Sequence, residues 1–394
     1  MRILYVCHRF PFPPNRGGKI RPFNMIKHLS RSHEVTVASL ARSSEEARAG
    51  EGIAAHCNDY LMETVTPTGA LARMLLGAPT PQPASMSYFH SPALRRRIRE
   101  EMDRTAFDLI FVHCSSMAPY VEDVTGIPKI LDFGDMDSQK WLDYARVHRF
   151  PKSLVYRLEG VKLERAERRF ARLFDYCTCT TRAELETLLG YGVETPTGWF
   201  PNGVDLDHFT PSGEPYEPDS IVFVGRMDYF PNQQAMFEFC ADVLPRIRST
   251  RPEATLTVVG ANPSRAVSDL SKLPGVSVTG TVPDVRPHVT GAAVAVAPLT
   301  IARGTQNKIL ECLAMGVPVV ASEIAAKGID AVPGEHLLAA RTAEEFAAQT
   351  LRLLADPAER RRFAEAGRAR VRSHHDWPES MRRLDALIDD CRIC

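Results

Sequence analysis

Short runs of aliphatic and β-branched residues alternate with amphipathic stretches along this chain, and the alternation is played through twice. Such runs are too short for helices buried on every side and lack the polar interleaving of strands with one wet face. Separated by helical stretches, they read as strands of parallel sheets covered by crossover helices. In the first pass Ile3 to Val6, Val35 to Leu40, Leu109 to Val112, Lys129 to Phe133 and Tyr176 to Thr180 read as strands, and Ile20 to Leu29, Pro92 to Met102 and Leu154 to Leu173 as helices. After Phe200 the pattern begins again. Strands are expected at Ile221 to Val224, Leu256 to Val259, Val276 to Thr279, Val294 to Ala297 and Val317 to Ala321, with helices at Gln233 to Ile247 and Thr305 to Met315. The turn chemistry of Phe200-Pro-Asn-Gly-Val-Asp and of Pro211 to Asp219 marks a junction. The expectation is an α/β protein with two Rossmann-like, doubly wound domains, 1–200 and 201–377, and a helix at about 378–394 packing back on the first. Two such domains facing each other make a cleft, and ligands of open α/β sheets sit outside the carboxyl ends of the strands.

Composition narrows the partners. The 48 basic and 48 acidic residues cancel, so no whole-molecule field favours nucleic acid, and an anion site must be built locally. Nine cysteines scattered through apolar segments point to a reducing compartment. Cys391 and Cys394 have metal or redox spacing, but no second pair or nearby His completes a zinc set. No run approaches the ~18 apolar residues of a membrane span, and Arg-Ile-Leu-Tyr-Val-Cys at the start is too short for a signal-peptide core. A cytoplasmic protein is expected, with contact at the inner face of the cytoplasmic membrane left open; no metal and no cofactor is expected.

Pro298 to Ser322 carries the most chemistry. A strand ends at Pro298, a loop runs through Arg303-Gly304-Thr305-Gln306-Asn307, and a helix carries Lys308 to Met315 before Gly316 ends it. A Gly-containing loop feeding a helix N-terminus presents free N–H groups and the positive end of the helix dipole, which suit a diphosphate, and Asn307 and Lys308 add side-chain donors. Glu311 follows Asn307 by four residues and Lys308 by three, on one face. The rise from Thr305 to Glu311 is ~9 Å, comparable to the reach from a distal phosphate to a ribose. A carboxylate there can accept both ribose hydroxyl protons, or it can pair with Lys308 on a solvated face.

Here the sequence resembles the family-four retaining glycosyltransferases of the GT-B fold. Their signature is a Glu, seven residues, a second Glu, and an Ala-Met/x-Gly-x-Pro-Val-Val-Ala-Ser strand entry. Glu311-Cys-Leu-Ala-Met-Gly-Val-Pro-Val-Val-Ala-Ser322 is similar to its second half. The resemblance gives Glu311 the donor ribose, whereas Arg303 stands where the first Glu would be, able to reach phosphate or an acidic sugar. Phe200-Pro-Asn-Gly-Val-Asp-Leu-Asp-His-Phe209 looks like the interdomain segment of the family, placing Asn202 and Gly203 at the substrate. Val224-Gly225-Arg226-Met227 looks like its Gly-Arg turn, whose Arg neutralises the departing diphosphate. The Lys usual five residues later is absent, so Arg226 and Lys308 would share that charge. Gly225 to Asn232 and Asp135-Met-Asp-Ser-Gln-Lys-Trp141 resemble a subgroup associated with bacterial exopolysaccharide and PEP-CTERM systems.

In the first half, Gly17-Gly18 matches the Gly-Gly turn of the family, where backbone N–H groups approach the donor phosphate or acceptor; by itself the pair is equally a plain turn. Lys19 and Arg21 beside it favour an anion. His113, at a strand end, matches an active-site His and is otherwise a structural residue. The helix Lys152 to Arg172 has seven basic and three acidic residues, with Arg165, Arg168, Arg169 and Arg172 at its end, which is either a solvated face or an attraction to anionic lipid. The resemblance thus implies transfer, with retention, from a nucleoside-diphosphate sugar to a glycan or lipid-linked acceptor by front-face attack. His113, Arg226, Lys308 and Glu311 would act at the reacting centre, and Gly17, Gly18, Lys19, Asn202, Gly203, Gly225, Arg303, Gly304, Thr305, Gln306 and Asn307 would bind substrate. The rivals are a dinucleotide oxidoreductase, disfavoured because Cys7 to Gly18 lacks Gly-x-Gly-x-x-Gly, a non-catalytic sugar-nucleotide binder, and a sugar-nucleotide epimerase.

Overall fold

The apolar runs become parallel strands with almost no exposed side chain, because helices cover both sheet faces. The computed structural model describes residues 1–15, 17–77 and 79–393; the Cys391/Cys394 spacing therefore ends outside the described residues. Two units emerge, Met1–Phe200 with Met381–Cys394, and Pro201–Ser380.

In the first unit β1 (Arg2–Cys7), β2 (Glu34–Ala41), β3 (Asp59–Thr64), β4 (Leu109–His113), β5 (Lys129–Gly134), β6 (Tyr176–Cys179) and β7 (Thr197–Trp199) form one sheet in the order β3-β2-β1-β4-β5-β6-β7. Every neighbouring pair is parallel. Leu4, Val6, Ile110, Val112 and Leu131 lie at the centre of its core. The order reverses between β1 and β4, where Cys7 sits opposite His113. That is the crevice in which doubly wound sheets hold ligands. The helix Trp377–Ile393 joins this unit from Met381 onward. His28 Nε2 lies 2.9 Å from the Asp385 carboxylate, and a side chain at Gly198 would run into Leu387.

The second unit repeats the plan. Its sheet comprises β8 (Glu217–Val224), β9 (Thr255–Val259), β10 (Val276–Gly280), β11 (Ala292–Ala297), β12 (Val319–Ser322) and β13 (Leu338–Ala340), parallel throughout, in the order β10-β9-β8-β11-β12-β13. The switch point falls between the ends of β8 and β11.

Three strands escape the sequence reading. β3 is an edge strand in which only Leu61 is buried, and β7 and β13 span three residues each, too few to show a period. The stretch expected as one helix from Gln233 is a helix Phe230–Glu238, a π-turn Phe239–Val243 and a helix Leu244–Thr250. The helix expected from Thr305 begins at Asn307 and ends at Ala314, and Gly316 follows at φ 74°, the left-handed geometry that closes a helix at low cost only for glycine.

Candidate functional site

In the second unit two glycines let the ends of β8 and β9 close up. A Cβ on Gly260, after β9, would stand 1.7 Å from the Gly225 carbonyl oxygen, so only glycine lets the β8 and β9 ends abut. A Cβ on Gly225 would in turn stand 2.7 Å from the Asn232 amide nitrogen and 3.1 Å from Lys308 Nζ. Lys308 donates to Asn232 Oδ1 at 2.6 Å, and Asn232 Nδ2 donates to the Arg226 carbonyl at 2.9 Å. Asn232 thus tethers the helix Asn307–Ala314 to the Gly225 turn. In the sequence Asn232 stands out only as the end of the Gly225 to Asn232 segment that resembles a subgroup; its contact with Lys308 needed the fold.

Burial lowers the Lys308 ammonium to about 7, only partly offset by Cys312 and Glu311. Burial likewise raises the Glu311 carboxyl to about 7 against the pull of Lys308. Among the described residues no hydrogen bond or ion pair joins the two, so the solvated-pair reading of Glu311 is not what the fold makes. A recessed carboxylate and a recessed ammonium share one helix face, neither neutralising the other.

The loop before that helix is held from within. Gly304 has φ 60°, its carbonyl lies where a Cβ on Gly328 would come within 2.4 Å, and Gln306 Nε2 donates to the Arg303 carbonyl at 3.1 Å. Thr305 Oγ1 is buried with no hydrogen-bond partner among the described residues. Asn202 Nδ2 approaches Asn307 Oδ1 at 3.5 Å. The Asn202 carbonyl lies 3.1 Å from His375 Nδ1, whose Nε2 accepts from the Asp330 N–H at 3.0 Å, so the neutral ring donates to Asn202. Gly203 packs where a Cβ would strike the Trp377 ring. Arg303 is half-buried beside this loop. Arg226 differs from the others: its guanidinium is half-exposed and bound to Asp228, turned to a local carboxylate.

The first unit gathers a second set at the β1/β4 crevice. His113 Nδ1 lies 2.8 Å from Asp132 Oδ2; a carboxylate only accepts, so Nδ1 carries a proton. Arg21 Nε donates to the same oxygen at 2.9 Å, and Thr178 donates to Asp132 Oδ1 at 2.9 Å. Burial alone would raise the Asp132 carboxyl, but Arg21 and then His113 outweigh it and hold it well below the usual range. Asp132 was missed at the sequence level because it reads as one polar residue inside an apolar strand.

Lys19 and Arg21 depart from expectation. Lys19 is buried against Glu46 at 2.6 Å, and Arg21 is engaged by Asp132 and the Phe200 carbonyl, so their charges are met inside the fold rather than offered to an anion. Gly17 and Gly18 are the first residues of the helix Gly17–Leu29 instead of a turn before it, with Arg9 pressed against Gly18. Of the basic helix, Arg168 is bound to Glu164 and Arg169 to Glu122.

Two parallel-sheet Rossmann-like units of this order define a GT-B fold. Sucrose-phosphate synthase from Thermosynechococcus elongatus matches with a TM-score of 0.74 over 99% of both chains at 16% identity. The Anabaena HepE structure in complex with UDP matches at 0.69 over 99% of this chain and 100% of that one, at 13% identity. The chain belongs to the glycosyltransferases: residues 16–208 match the model of Glycosyltransferase Family 4 and residues 218–356 that of Glycosyl transferases group 1. A glycogen synthase of Mycobacterium tuberculosis is 27% identical over 211 residues, 51% of this chain and 50% of that protein. The chain thus spans about half the length of the curated relatives it matches.

Proposed function

We propose that the protein is a retaining glycosyltransferase that moves a sugar from a nucleoside-diphosphate donor, held in the second unit, to a glycan or lipid-linked acceptor in bacterial exopolysaccharide or cell-surface glycan synthesis. The observation that carries this reading is the Glu311 carboxylate, recessed and without a hydrogen bond from any described residue, one helical turn from a loop that holds an unpartnered Thr305 hydroxyl. A ribose diol supplies two donors to the carboxylate, and a diphosphate supplies acceptors to Thr305, Lys308 and the amides at the start of the helix. As the glycosyl–phosphate bond breaks, Lys308 and Arg226 stabilise the leaving diphosphate, Arg226 after release from Asp228. The acceptor hydroxyl oxygen bonds to the anomeric carbon on the face the diphosphate leaves, its proton passing to the departing phosphate oxygen, and same-face attack retains configuration. His113, anchored through Nδ1 on Asp132, is the first unit's candidate for contact with substrate.

The likeness to a UDP complex makes UDP the first nucleotide to try. The test is binding of UDP, GDP, ADP and TDP to the full chain, followed by transfer from the matching sugar nucleotide with analysis of anomeric configuration. A new glycoside of retained configuration supports the proposal. An inverted product overturns retention, free sugar without any acceptor indicates an epimerase, and tight binding without turnover indicates a non-catalytic binder.

A further inference from the structure

The chain crosses from one helix to the next at residues 147–152 without burying its apolar side chains. Asp137–Val147 ends, and Lys152–Ala171 begins, with Phe150 at 79% exposure between them. Val147, Leu154, Val155 and Leu158 are also exposed, Val155 at 61%. The helix Pro67–Gly77 adds Leu71, Leu75 and Leu76, the last at 79%. These eight are over half of the fifteen large apolar side chains exposed among the described residues, so the concentration is local. The two segments are neighbours. Glu159 accepts from the Ala84 N–H and from the Ser85 N–H and hydroxyl at 2.7 to 2.8 Å, and the short Ala84–Tyr88 helix receives Arg73 Nε of the Pro67–Gly77 helix on its Ser87 carbonyl.

Charge around the patch has one sign. Arg149, Lys152 and Arg157 are exposed among the apolar residues; Arg146, also exposed, is matched by Asp143, and Glu159 is buried. The helix Pro67–Gly77 carries no acidic residue at all. At the far end of Lys152–Ala171, by contrast, Arg168 is paired with Glu164 and Arg169 with Glu122.

From this juxtaposition we infer that the Val147–Leu158 corner, with the Leu71–Leu76 face beside it, is a docking surface for an anionic lipid bilayer, the apolar side chains entering the acyl boundary and the arginines and lysine lying at the headgroups. The inference rests on the lipid-linked form of the acceptor proposed above, which would be presented at such a surface. Chemistry favours lipid over a second copy of the chain: a symmetric contact would set two like-charged basic fringes against each other. The contact inferred is peripheral, and no helix among the described residues is long and apolar enough to cross a membrane. Interfacial binding of this kind combines buried apolar area with attraction to anionic headgroups, and each part is separately removable.

The experiment is co-sedimentation of the full chain with vesicles of phosphatidylcholine alone and of phosphatidylcholine with 30 mol% phosphatidylglycerol, with UDP affinity measured on every preparation. Binding to the mixed vesicles at least about tenfold tighter than to phosphatidylcholine is expected, weakening as salt rises. Phe150→Ser with Val155→Ser, and separately Arg149→Gln with Lys152→Gln, should each cut it about tenfold or more, with UDP affinity unchanged. Absence of binding to mixed vesicles, or binding indifferent to both double variants, overturns the inference. So does a dimer that Phe150→Ser with Val155→Ser converts to monomer without vesicle binding. Failure to bind UDP, with vesicle binding intact, would count against the donor reading alone.

Discussion

His113 Nδ1 and Asp132 Oδ2 are 2.8 Å apart at the carboxyl end of the first sheet, and the same oxygen takes the Arg21 guanidinium at 2.9 Å. Asp132→Ala would leave a buried guanidinium without its counter-charge, at an expected cost of ~3 to 5 kcal/mol by chemical denaturation. The folded carboxyl titrates below its unfolded value, so its contribution is present above the ordinary carboxylate pKa of ~3.9 and lost as pH falls through the depressed folded value. Asp132→Asn should therefore flatten the acid limb of the stability profile. An unaltered acid limb would show that the carboxylate is not what this network depends on.

Removing the Glu311 carboxylate should weaken UDP binding by ~1.5 to 3 kcal/mol, roughly 10- to 150-fold, through lost charged hydrogen bonds. Thermal stability of Glu311→Ala should hold, since the buried carboxyl contributes no hydrogen bond to the fold among the described residues. Calorimetric titration reads the first and a thermal melt the second; an unchanged dissociation constant removes Glu311 from the site.

Donor binding should be bell-shaped in pH. Glu311, raised to about 7 by burial, takes a proton on the acid side and ceases to accept from both ribose hydroxyls. Lys308, lowered to about 7 by burial, loses its charge on the alkaline side. Titrating with a UDP-sugar, whose diphosphate diester does not ionise in this range, isolates these two groups. Glu311→Gln should abolish the acid limb, and Lys308→Arg, always charged, the alkaline one. A flat profile between pH 6 and 8 for the parent chain would contradict both assignments.

The two glycines at the β8 and β9 ends should fail differently. In Gly260→Ala the new methyl meets a backbone carbonyl 1.7 Å away, which cannot swing aside. A loss of ~1 to 3 kcal/mol or more is expected. In Gly225→Ala the clash is with the ends of Asn232 and Lys308, which can move, so the melt should shift little while UDP affinity falls. Equal loss of stability in both variants would mean that the Gly225 turn is as rigid as the β-strand ends.

Arg303→Glu and Arg303→Ala, titrated with UDP-sugar at low and high salt, test whether this arginine faces the donor. Direct contact predicts weaker binding for both, worst for Glu and most salt-sensitive in the parent chain. A solvent-facing Arg303 predicts changes within ~1 kcal/mol.

The doubled strand-and-helix alternation is a local property, set by side-chain period and length, and the sequence carried it to both sheets. The loop from Arg303 and the helix after it were legible for the same reason, since Gly304, Asn307, Lys308 and Glu311 lie within one short segment whose spacing fixes their common face. Lys19 and Arg21 were legible as charges but not as buried ones. Their partners Glu46 and Asp132 are distant in sequence, and only the crossing of β1, β2 and β5 brings them into contact. Asn232 reaching Lys308 between two helix starts, and Gly260 making room for Gly225 between two strand ends, are likewise contacts with no period to announce them. The exposed corner at Phe150 was decided the same way. Leu154, Val155 and Leu158 read as part of an ordinary amphipathic helix, and whether that apolar face finds a neighbour depends on what the rest of the chain places against it.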